Sequence, residues 1–136
     1  MNKFAGIILL TLIVMTPHQV KAAVYDGSAP LICAVIETFE CTLKSDCTES
    51  TAEEMNIPQF FKLDFKNNMI RNPEEKNEKK ETAIRNVEHD KGSLILQGME
   101  NGRGWSIAID ENTGKMSASI SENTGGFVIF GACTLD

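Results

Sequence analysis

The sequence predicts a mainly β protein, an antiparallel meander of about seven to eight strands curled into a small barrel or a strongly bent sheet. Three observations predict it. Apolar residues alternate with polar ones in short runs, the runs are separated by turns of Asn, Asp and Gly, and four cysteines are available as staples.

In chain order, LICAVIETFEC over 31–41 reads as the first strand. TESTAEEMNIP follows, where Ser50 or Thr51 is a suitable N-cap, Glu53 or Glu54 stands three residues on, and Pro58 is a stop. One short helix near 51–56 is therefore expected, and no other. In QFFKLDFK, 59–66, Phe61, Leu63 and Phe65 alternate with Lys62, Asp64 and Lys66, and Asn67-Asn68 turns the chain into a short strand over 69–71. The segment NPEEKNEKKE, 72–81, has no apolar residue and reads as a solvated loop. Strands then follow near 82–88, 93–99, 104–110, 115–121 and 127–135, joined by HDKG, ENGR, ENTG and ENTGG.

The tetrapeptide ENTG occurs twice, at 111–114 and 122–125. It reads as two turns bracketing one strand, with Gly114 and Gly125 each expected at positive φ. Between them Met116, Ala118 and Ile120 share one face, and Ser117 and Ser119 the other. Trp105, Ile107, Ile109, Phe127 and Ile129 are expected to face the interior. Val128 and Phe130 make the last strand apolar on its other face too, which requires a cover. The short helix or the segment around Val24 and Tyr25 would supply it, or else Phe130 belongs to a binding surface.

Residues 1–22 read as a cleaved signal peptide, with Lys3 before a thirteen-residue run from Phe4 to Thr16 and the small-residue signal Val20-Lys21-Ala22. A run of that length is shorter than the roughly 20 residues that cross a bilayer, and no later stretch is apolar enough to span. The protein is thus expected to be exported, to the periplasm or beyond, as one disulfide-stapled domain over 23–136. Removing Lys3 and Lys21 leaves 11 basic residues against 19 acids, a net charge of −8. Nucleic acid and anionic membranes, which require a positive face, are poor partners for such a chain. A basic protein is a compatible one, although acidity also serves solubility.

All four cysteines lie beyond the leader, where disulfides persist. The expected pairs are Cys41 with Cys47, across a tight polar loop, and Cys33 with Cys133, tying the first strand to the last. A zinc site is not expected, because there is no C-x-x-C and His89 is the one histidine after the leader. Asp110-Glu111-Asn112 begins like a calcium loop, but Lys115 and Ser121 stand where Gly and Glu are needed. No cofactor is expected.

A further set of segments stands out: the first cysteine strand with its Cys-x5-Cys loop, Asn56-Ile57-Pro58 leading to Phe61-Lys62-Leu63-Asp64, Leu96-Gln97-Gly98, Gly104-Trp105-Ser106 to Ile109-Asp110, Thr113-Gly114, and Gly126-Phe127 to Phe130-Gly131-Ala132-Cys133. Together they resemble a group of short exported bacterial proteins without an assigned activity. The resemblance implies a shared architecture over Cys33 to Cys133 and carries no functional residues. Size, export and acidity are similar to those of the periplasmic lysozyme inhibitors, a resemblance of architecture alone.

Function is expected to be non-catalytic binding, of a small apolar ligand at a barrel mouth or of a basic protein. Glu37, Arg103, Trp105 and Phe130 are the candidate ligand-binding residues. Alternation places Glu37 on the side of Cys33, Val35, Phe39 and Cys41, where its carboxylate could receive a ligand's polar end or pair with Arg103, unless a bulge turns it to water. The alternatives are a hydrolase using paired carboxylates such as Asp64 and Glu37, and a structural role in the envelope. No catalytic residues are assigned.

Overall fold

The alternation seen in the sequence becomes one antiparallel sheet in a computed structural model that describes residues 24–73 and 81–136. The leader expected over 1–22 and most of the charged loop expected over 72–81 lie outside those residues. The strands are β1 (Leu31–Thr42), β2 (Thr48–Ser50), β3 (Phe60–Asp64), β4 (Met69–Arg71), β5 (Thr82–Asp90), β6 (Ser93–Glu100), β7 (Arg103–Asp110), β8 (Lys115–Glu122) and β9 (Gly125–Leu135). β1 and β3 through β9 pair in order, and β9 returns to β1, which closes an eight-stranded barrel. β2 is an extra strand on the upper half of β1, through Thr38, Phe39 and Glu40.

Closure rests chiefly on the β1–β9 seam, which runs from Leu31↔Leu135 to Thr42↔Gly125 with one bulge between Val35 and Glu37. Cys33 and Cys133 are register partners in it and form a disulfide, while Cys41 and Cys47 form the second across the β1–β2 loop. At the opposite side of the barrel, β4 and β5 pair only through Met69↔Ala83 and Ile70↔Thr82.

The hairpins follow their turn chemistry. Lys91-Gly92 and Asn101-Gly102 both hold two consecutive positive φ angles, the arrangement whose twist matches that of paired strands. Gly114 also has positive φ, at 72°, but Gly125 does not. The expectation for Gly125 is corrected: it is the first residue of β9, and a Cβ there would strike the Cys41 carbonyl oxygen. The second ENTG is a tight hairpin whose glycine answers to crowding and not to backbone hand.

The helix expected near 51–56 is also corrected, because the segment makes a single turn. Its capping box forms: Thr51 N donates to Glu54 Oε2 at 2.9 Å, and Glu54 N donates to Thr51 Oγ1 at 3.2 Å. The far end is capped at once, since Asn56 has φ 53° and the amides of Asn56 and Ile57 donate to the carbonyls of Glu53 and Ala52. Two caps this close leave room for one i→i+4 bond, from Met55 N to Thr51 O.

The lower half of the barrel is packed solid. Leu31, Cys33, Leu63, Leu94, Leu96 and Ile109 are fully buried there. The segment 24–30 crosses this lower end, with Val24 N and Tyr25 N both donating to Glu111 O and Gly27 lying against Phe65 and Leu94. It therefore plugs the barrel, and the outer face of β9 is left to Phe39, whose ring meets Phe130 edge to face at 6.3 Å. Among the described residues no helix is long and apolar enough to cross a membrane.

Candidate functional site: the upper mouth of the barrel

Above the packed half lies a half-open cavity of about 440 Å³. Its floor consists of Val35, Phe61, Ile107 and Ile129, inward residues of four different strands and all buried. Trp105, Ile120 and Ile70 form the walls, and Ala118 leaves space where a larger residue would fill it. Ile57 and Pro58 reach the rim from the doubly capped turn, opposite Glu100, Asn101 and Arg103. The volume lies within the roughly 300–1,000 Å³ typical of small-molecule sites.

Trp105 owes its position to Gly98. The two are register partners on β7 and β6, and the indole lies flat over the glycine, where a Cβ would overlap Cζ2 and Cε2. A glycine in the middle of an otherwise apolar strand allows this close approach. Laid down in this way, the ring lines the cavity and does not fill it.

Three polar groups of the lining stand out: Trp105 Nε1, Thr82 Oγ1 and Arg71 Nε are buried and have no hydrogen-bond partner among the described residues. Arg71 Nε does lie 3.2 Å from Glu81 Oε1 and 3.9 Å from Asp64 Oδ2. Those contacts neutralise its charge without the alignment of a hydrogen bond. Arg103 is paired outright, donating from Nε to Glu122 Oε2 at 2.8 Å, and its guanidinium sits 5.7 Å from the centre of the Phe127 ring. The Asp64 carboxyl is held below its ordinary value, first by the Asn67 side-chain amide and then by the Asn67 backbone and nearby Arg71 and Lys62.

Of the residues singled out from sequence, Arg103 and Trp105 come together at this mouth. Glu37 and Phe130 do not. A β-bulge between Val35 and Glu37 inserts one residue, so Thr38 follows Val35 into the interior and Glu37 is exposed, in register with Phe130 on the outer face. The carboxylate beside Arg103 is consequently Glu122 and not Glu37. Nor are Asp64 and Glu37 neighbours. Asp64 lies beyond the Leu31↔Leu63 register pair, and Glu37 is six residues farther along β1, roughly 20 Å at the usual strand rise.

Sequence reading missed Thr82, Arg71 and Ile57. Thr82 and Arg71 flank a charged loop and carry no periodic signal of their own. Gly98 was the available clue, since a glycine opposite a tryptophan marks a place where the ring must lie down. Comparison of the chain with protein-family models, with curated proteins and with solved structures gives no match, so the functional reading rests on the geometry of this mouth.

Proposed function

We propose that the protein is an exported, non-catalytic binding protein that takes a small, mainly apolar ligand into the upper mouth of its barrel. The observation that carries this reading is the cavity itself, an apolar space of about 440 Å³ in a barrel whose other half is fully packed. Side chains fill the interior of small eight-stranded barrels unless room is kept for a ligand. Here room is kept by Gly98 and Ala118. Export is supported by the leader-like N-terminus and by two disulfides, which suit an oxidising compartment.

Native mass spectrometry of protein recovered from the exported fraction, before and after incubation with Nile red, tests the proposal. The expected result is one bound molecule per chain, lost in Ala118→Phe, whose ring occupies the cavity; circular dichroism verifies that the variant is folded. A chain that carries no ligand and takes up no dye would overturn it.

A further inference from the structure

We propose that the outer face of β1, β3 and β9 is the interface of a two-fold dimer, in which a second copy of this chain covers Ile36, Phe60 and Phe130.

Strand alternation and the β1 bulge together build this face. Phe60 and Ala34 are register partners, and both point outward because their strand neighbours Phe61, Cys33 and Val35 are buried. The bulge adds Ile36 beside them. On the other side of β1, Phe130 points outward from β9 and meets Phe39 edge to face. Ile36 is 67% exposed, Phe130 43% and Phe60 42%. Large apolar side chains open to water on three adjoining strands mark a surface that another protein covers.

Charge on the same face identifies the occupant, because the two signs lie at opposite ends of the patch. Toward the mouth stand Glu37, in register with Phe130, and Glu49, in register with Phe39. Toward the plugged end stand Lys115, in register with Ala132, and Lys62, in register with Ile32. Among the described residues Glu37, Glu49 and Lys115 have no ion-pair partner, and Lys62 meets only Asp136. A two-fold axis lying across the strands at the level of Ile36 sets one copy upside down against the other. The acidic end of each copy then faces the lysine end of its partner, and the apolar middle meets itself. A uniformly basic partner would bring like charge to the lysine end, and a uniformly acidic one to the carboxylate end. A second copy of the chain matches both. None of these residues lines the mouth, so dimer and ligand do not compete for the same surface.

Analytical ultracentrifugation of protein recovered from the exported fraction, over a wide range of concentration, tests the proposal. A reversible equilibrium between monomer and dimer is expected. Ile36→Asp should abolish the dimer while leaving circular dichroism and the urea midpoint close to those of wild type, since that side chain is already largely in water. Two charge-reversed variants supply the specific test: Glu37→Lys with Glu49→Lys in one, and Lys62→Glu with Lys115→Glu in the other. Each should be monomeric alone, and an equimolar mixture of the two should recover the dimer, because opposite charges then face each other at both ends. A wild-type protein that stays monomeric at the highest concentration, a dimer that survives Ile36→Asp, or a mixture that remains monomeric would overturn the proposal.

Discussion

Gly98 and Trp105 show how one small residue sets the character of the mouth. Because the indole fills the space where a Cβ would project, Gly98→Ala must push the ring toward the cavity or strain the β6–β7 pair. Overpacking of this kind costs about 1–3 kcal/mol. Urea unfolding should show that loss, and the emission of this single tryptophan should shift as its surroundings change. Asp110 illustrates a polar residue that works within its own turn. Its Oδ1 accepts from the Thr113 backbone at 2.7 Å, the Thr113 hydroxyl at 2.9 Å and the Asn112 backbone at 3.0 Å. These bonds, the Thr113 backbone first, lower its carboxyl below the ordinary 3.8. A lowered folded value means stability present above 3.8 and lost as the pH falls through the folded value. Asp110→Asn should accordingly be less stable than wild type near neutrality, and the difference should shrink below that pH, as measured by urea unfolding across the acid range.

Among the elements, β3 and β8 were legible because apolar and polar residues alternate along them, and the continuous apolar runs of β1 and β9 because turn residues and cysteines bound them. The places where sequence reading departed from the structure have local causes. β2 is three polar residues, none of them buried, with no pattern to detect, and its pairing is supported by a hydrogen bond from the buried Thr38 hydroxyl to Ser50 O. The turn at 51–56 has a true helix start but is stopped within one turn by Asn56 at positive φ. The bulge in β1 reverses every face beyond Val35, which alternation alone cannot reveal and which carried Glu37 out of the candidate site. The cysteine pairs were legible from loop size and strand order. They differ in expected weight: the Cys33–Cys133 bridge spans 100 residues and the Cys41–Cys47 bridge only 6. By chain entropy the first is worth about 4–5 kcal/mol and the second about 2. Replacing Cys33 and Cys133 by Ser should therefore lower the urea midpoint well beyond the matching change at Cys41 and Cys47. The seam opposite the long bridge is short, so hydrogen exchange should find the amides of the β4–β5 pairing less protected than those of β1–β9.

The whole molecule divides into a lower half that supplies stability and an upper half that keeps a space open. The lower end is plugged by the 24–30 segment and a close-packed set of Leu, Ile and the Cys33–Cys133 bridge. With that end secured, the upper mouth can omit side chains at Gly98 and keep Ala118 small without collapse. The barrel class could be read from the sequence, but the cavity could not, because empty space is a property of how distant strands meet. A proton–nitrogen correlation spectrum of the protein titrated with methyl heptyl ketone, a small and mainly apolar probe, tests the central claim of ligand binding at the mouth most directly. The single tryptophan gives a single indole Nε1–H signal, and its ring lines the mouth. The expected result is a saturable shift of that signal, with accompanying shifts at Thr82, Ile107 and Ile120 and none at Tyr25 or Leu94. An indole signal that stays in place at saturating ketone, or shifts confined to the outer face around Phe39 and Phe130, would contradict it.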